Sequence, residues 1–141
     1  EGVVAGGGVA LLRASDSLEA KVIKNTGKLS DEESVGVKIV RDALAIPSRQ
    51  IADNAGEDGS VVVSKIREGK GNFGFNARTN TYEDLMKAGV VDPVKVTRNA
   101  IQAAGSIAGL ILTTETLVCD IPEENSGMPA MPDMGGMGGM M

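Results

Sequence analysis

Histidine and tryptophan are absent from this 141-residue chain, and cysteine occurs once, as Cys119. Without histidine, Ser-His-Asp and Cys-His catalysis are impossible within the chain. One cysteine excludes an internal disulfide and a cysteine-rich zinc site. A lone thiol fits a reducing compartment, and a cytoplasmic location is expected. Large aromatic anchors are scarce, with two Phe and one Tyr. No continuous apolar run approaches the ~20 residues of a membrane-spanning helix, so no membrane partner is expected. The start shows no basic segment leading into an apolar stretch, so no signal peptide is visible. A basic surface is missing too. The net charge is −5, and binding a phosphate backbone needs concentrated positive charge, so nucleic acid is not an expected partner. The chain opens at Glu1 without Met, as expected of a piece processed or excised from something longer.

What is present suits a folded domain. Hydrophobic residues make up 42% and charged residues 23%, a balance that intrinsic disorder does not show. The length allows one domain with a modest core. Three consecutive glycines, Gly6 to Gly8, interrupt the apolar opening. The apolar residues on either side fit a helix continuing to about Ile23. Each glycine would cost such a helix roughly 1 kcal/mol relative to Ala. Either a tight helix crossing or the close approach of another group would account for them.

Ser30-Asp31-Glu32-Glu33 has the form of a capping box and predicts a helix start. Val35, Ile39, Val40, Ala43 and Leu44 then mark an apolar stripe. Pro47 breaks it, and a second piece over Ser48 to Asn54 turns Ile51 and Ala52 inward, ending at Gly56. Asp58-Gly59-Ser60 is a turn that offers helix caps. Val61, Val62, Val63 and Ile66 follow; β-propensity favours a strand, but the spacing and the nearby caps favour a short helix. From Glu68 to Tyr82 glycines alternate with polar residues, and Phe73, Phe75, Ala77, Thr79 and Thr81 keep period two, predicting a hairpin. Phe73, Phe75 and Tyr82 form a packing centre or line a pocket.

Tyr82 to Ala88 reads as a helical turn ended by Gly89. Asp92 fits an N-cap and Pro93 the first helical position. Val94 to Leu112 then gives the longest apolar stripe, expected as a central buried helix. Leu117, Val118 and Ile121 suggest a final strand, stopped by Pro122. Residues 123–141 hold six of the seven Met, five Gly and no basic residue, and read as a disordered, adhesive tail. The expected fold is therefore mainly α, with a small β-hairpin and a short C-terminal strand, over residues 1–122.

Several segments carry a resemblance. The opening Glu-Gly-Val-Val-Ala-Gly-Gly-Gly-Val-Ala-Leu, Asp92 through Arg98, Ala108-Gly109-Leu110 through Thr113-Thr114-Glu115, and the Gly-Gly-Met repeats closing on Met140-Met141 occur in the order found in group I chaperonins. The chain closely resembles the C-terminal quarter of such a subunit. The resemblance implies the second half of the equatorial domain, which binds ATP and makes most ring contacts. It implies that Gly7 lies against the nucleotide, that Asn76 and Ala77 flank the adenine, that Arg78 stands next to them where many relatives have Ala, and that Asp92 meets the ribose hydroxyls. No catalytic residue and no metal ligand are expected here. The phosphate loop, the Mg2+-binding aspartate and the carboxylate that positions the attacking water belong to parts that precede these residues in the family.

The partners implied are subunits of the same and the opposite ring, a co-chaperonin, and non-native polypeptides. The implied activity is ATP-dependent folding inside a double-ring cavity. A catalytically inactive structural or assembly piece, retaining only the nucleoside side of the pocket, is the alternative. For Asn76 a turn-stabilising role, and for Asp92 a plain helix cap, remain open beside the ligand roles.

Overall fold

The structure, a computed structural model, describes residues 1–120. Two units divide it, Glu1–Gly105 and the segment from Ser106 onward. The first unit holds β1 (Val3–Ala5), α1 (Val9–Asp16), α2 (Leu18–Thr26), α3 (Asp31–Ala43), α4 (Ile46–Asn54), α5 (Gly59–Glu68), β2 (Phe73–Asn76), β3 (Thr81–Asp84) and β4 (Val91–Pro93). Helix α6 (Val94–Leu112) starts in it and ends in the second. The fold is mainly helical, as expected, with two two-stranded antiparallel sheets, β1 with β4 and β2 with β3.

The triple glycine is not inside a helix. It forms the turn between β1 and α1, with Gly7 at φ +62° and Gly8 at φ +75°. Both values lie in the left-handed region that a side chain disfavours. A Cβ on Gly8 would also sit 2.8 Å from the backbone nitrogen of Ser48, at the start of α4. The Ser48 hydroxyl donates to the Gly7 carbonyl at 2.7 Å. The glycines therefore let α4 meet the β1–α1 turn backbone to backbone.

The expected long first helix is split. Helix α1 stops at Asp16 and Ser17 caps it, its amide and its hydroxyl both donating to the Ala14 carbonyl. Ser15 likewise donates back to the Leu12 carbonyl at 2.7 Å. Hydroxyls bonding to the preceding turn compete with the helical ladder, and two such serines flank the break.

Helix α3 starts where its capping box lies. The Glu33 amide donates to the Ser30 hydroxyl at 3.2 Å, and the Ser30 amide to the Glu33 carboxylate at 2.8 Å. The neighbouring Glu32 carboxyl is held below its ordinary value by its own backbone amide and then by the Ser30 hydroxyl. Helix α5 is the helix that the valines left in doubt. Asp58 accepts from the amides of Ser60 and Val61, and Val62, Val63 and Ile66 are buried along one face. These side chains pack with Val9 and Leu12 of α1, Ala52 of α4, Phe75 of β2 and Leu85 to make the core.

Four further expectations fail, each for a physical reason. The apolar stripe of α3 is exposed at Val35, Ile39 and Val40, and α3 buries no residue. Helix α6 likewise has no buried side chain among the described residues, although it was expected at the centre. Apolar periodicity records that a face needs cover, but it does not supply the cover. Asp92 does not cap α6, and Pro93 is not its first residue. Both lie in β4, with Asp92 opposite Val4. The Val94 amide that an Asp92 cap would take donates instead to the Gly2 carbonyl at 3.1 Å, extending the ribbon. Leu117 and Val118 form no strand and are exposed, since no described strand offers them a ladder. Ile121 and the tail of 123–141 lie outside the described residues.

Two glycine substitutions separate these causes. Gly8→Ala combines a left-handed backbone with a backbone clash and is expected to cost roughly 2–4 kcal/mol. Gly36→Ala lies inside α3 with open space around its Cβ and is expected to stabilise by roughly 0.5–1 kcal/mol. Urea unfolding of the intact protein checks both; equal stabilities for the two variants would contradict the assignment.

Candidate functional site

The hairpin pairs Phe75 with Tyr82 and Asn76 with Thr81. Its aromatics gather as the sequence predicts: the Tyr82 ring lies 5.3 Å from that of Phe75 and 6.1 Å from that of Phe73, centroid to centroid. Beyond β2 the chain must reverse within four residues. Asn76 fixes that reversal. Its Oδ1 accepts from the Arg78 amide at 3.1 Å, an Asx turn, while its Nδ2 donates to Glu83 Oε1 at 2.8 Å. Asn80, at φ +54°, donates from Nδ2 to Glu57 Oε1 at 2.8 Å, tying the tip to the α4–α5 loop.

A cleft of about 660 Å³ opens beside this turn. Gly7 comes from the glycine turn, Ile51 from α4, Phe75 to Thr79 from the hairpin, and Ala88 to Val90 from the loop before β4. The Gly6 amide donates to the Val90 carbonyl at 2.9 Å and so holds two of these walls together. Four of the five expected site residues, Gly7, Asn76, Ala77 and Arg78, thus share one cleft. Asp92 does not line it. It stands two residues beyond Val90, half-buried in β4, and its carboxylate has no hydrogen bond or ion pair among the described residues.

The sequence reading missed Thr79, Ala88, Gly89 and Val90 as walls. It also missed Glu83 and Glu57 as the carboxylates that fix the turn. The Asn76–Glu83 contact was recoverable from hairpin register alone, since Glu83 lies two residues beyond Thr81, the partner of Asn76. The Glu57–Asn80 contact had no sequence signal, being a long-range meeting of two loops.

Chemically the cleft offers apolar walls, a few backbone groups, the Thr79 hydroxyl, one amide and one guanidinium. That set suits a flat ring with polar edges. With one N–H and one lone pair already used, Asn76 retains one of each. A second hollow of about 290 Å³ is lined by Ser15, Asp16, Arg41 and Arg67. There Asp16 lies 3.5 Å from Arg67 and 3.8 Å from Arg13, so its charges answer one another. Among the described residues no group of acidic or sulfur side chains is placed to hold a metal ion.

The sequence profile of the TCP-1/cpn60 chaperonin family matches residues 1–122. The chain belongs to that family. Among solved structures, the open-state monomer of a group II chaperonin from Methanococcoides burtonii superposes with a TM-score of 0.69 at 28% identity. The match covers 79% of this chain and 28% of that one, so the chain spans little more than a quarter of that chaperonin's length. The helical fold with its hairpin is accordingly that of a chaperonin equatorial-domain segment.

Two measurements test the site's wiring. Asn76→Asp keeps the acceptor for the Arg78 amide but sets a carboxylate against Glu83. Like charges at this distance favour a protonated carboxyl in the folded state. The variant should therefore lose roughly 1–3 kcal/mol at neutral pH, and its deficit should shrink as pH falls towards ~4. A deficit independent of pH would refute the contact. Tyr82, the one tyrosine, has its phenol pushed above 10.0 by burial and then by Glu57. The folded state then holds the proton longer than the unfolded chain, so the contribution of Tyr82 to stability is fully present below its ordinary value of 10.0 and is lost as pH rises through the folded value. Phenolate absorbance should titrate later in native than in denatured protein.

Proposed function

We propose that this chain is the nucleoside-binding part of an ATP-dependent chaperonin subunit. The convergence of Gly7, Asn76, Ala77 and Arg78 on one cleft, from segments some seventy residues apart in the chain, carries this reading. The glycine turn presents backbone without a Cβ to a planar base. The remaining edge groups of Asn76, with the backbone of Ala77 and Arg78, face the polar rim of adenine. Asp92, whose carboxylate has no partner among the described residues, is the acceptor for ribose hydroxyls. The ligand's phosphates, its Mg2+ and the attacking water would be held by residues outside this chain. When bound, Mg2+ would neutralise phosphate charge; the residues present contribute orientation of the nucleoside.

The sequence motifs, including the Gly-Gly-Met repeats, favour a group I subunit working in the cytoplasm. Such a subunit would act in stacked rings with a co-chaperonin and non-native polypeptides as partners. The structural likeness to a group II chaperonin supports the family as a whole. Exposure of the apolar faces of α3 and α6 favours an additional structural role, since both need cover.

The proposal predicts a division of labour. The 141-residue chain mixed with ATP and Mg2+ should release no phosphate above a heat-inactivated control. The intact protein should release it, and Asp92→Ala should weaken binding of adenosine more than binding of 2′,3′-dideoxyadenosine. Equal losses for the two nucleosides would remove Asp92 from the ribose site.

A further inference from the structure

Arg78 is the only charged residue that lines the cleft. Its backbone amide is fixed by Asn76 Oδ1 at 3.1 Å, yet its guanidinium has no hydrogen bond or ion pair among the described residues. The carboxylates on the neighbouring turns are committed elsewhere. Glu83 Oε1 accepts from Asn76 and from the Thr81 hydroxyl, and Glu57 Oε1 accepts from Asn80. A long cationic side chain is thus anchored at its base, exposed, and left uncompensated at the mouth of a cleft walled by Ile51, Phe75, Ala77 and Val90.

We propose that the Arg78 guanidinium closes over the face of the bound purine and acts as a specificity-determining residue for the base. The inference rests on the nucleoside reading of the cleft and adds to it a contact that an alanine in this place lacks. A guanidinium is planar, weakly hydrated and attracted to π faces. The other residues that line the cleft carry no charge, so none competes for the ring. The Asx turn sets the direction in which the side chain leaves the backbone, so less freedom is lost on stacking. No partner among the described residues has to be given up first.

Calorimetry on the intact protein with adenosine and with ADP tests this, using the parent, Arg78→Ala and Arg78→Lys. Stacking predicts that Arg78→Ala weakens adenosine and ADP by the same factor, about three- to tenfold. It further predicts that Arg78→Lys, which keeps the charge and loses the plane, recovers little of the loss. Because the guanidinium has no partner among the described residues, both variants should melt with the parent. Unchanged adenosine affinity in Arg78→Ala overturns the stacking contact while leaving the nucleoside cleft in place. A loss confined to ADP and restored by Arg78→Lys overturns it in favour of a phosphate contact. If the parent itself binds neither compound, the nucleoside reading fails and the stacking contact with it.

Discussion

Backbone must meet backbone at Gly6 to Gly8, and most of the first unit's geometry follows from that meeting. The Gly6 amide reaches the Val90 carbonyl at 2.9 Å, the Gly7 carbonyl takes the Ser48 hydroxyl at 2.7 Å, and Gly8 has no room for a Cβ against Ser48. Three chain segments far apart in sequence are thereby fixed around one turn. Helix α1 leaves it in a set direction, placing Val9 and Leu12 in the core against α5. Strand β1 enters it already paired with β4. The cleft exists because these segments converge where side chains are missing.

The hairpin answers this turn from the other side with a different device. It cannot rely on glycine alone, because its reversal carries Asn76, Ala77, Arg78 and Thr79. Polar side chains hold it instead: Asn76 binds its own turn and Glu83, while Asn80 binds Glu57. Asn76 is nearly buried at 7% exposure, so its two bonds replace water that it cannot reach. Tyr82, stacked on Phe73 and tilted against Phe75, supplies the apolar half of the same brace.

Local signals in the sequence translated directly into structure. Ser30 to Glu33 closes as a capping box because both partners lie within one turn of each other. The period-two run through Phe73 and Phe75 becomes β2 because its pairing partner is eight or so residues away. Signals that depend on distant chain translated poorly. Asp92-Pro93 has every local mark of a helix start, yet pairing with β1 claims it for a strand. The glycines fit either a helix crossing or a turn until Val90 and Ser48 are seen beside them. The stripes of α3 and α6 correctly report apolar faces and wrongly imply cover for them. That Gly7, Asn76, Ala77 and Arg78 share a cleft was suggested by the family resemblance, while the residues alone offered ligand roles only beside plainer ones. Composition could not tell Asn76 the turn-former from Asn76 the ligand group, and its two bonds to protein show that the first role is filled.

That distinction between committed and uncommitted polar groups orders the whole cleft. Ser48, Asn76, Asn80, Glu57 and Glu83 are all bonded to protein, and each fixes the position of a wall. Arg78 and Asp92 are bonded to none of the described residues, although each leaves a backbone atom held in place, the Arg78 amide by Asn76 and the Asp92 strand by Val4. A charged group kept exposed without a partner gains no stability from the fold. Its placement on a rigid turn or strand costs the chain little only because the backbone is ordered for other reasons. Two opposite charges without a described partner thus stand on backbone that is ordered for other reasons, which is the preorganisation that the proposed nucleoside role of the cleft requires. The bonds that fix the walls do not pass through the side chains of Arg78 and Asp92, so either side chain can change without breaking one of them.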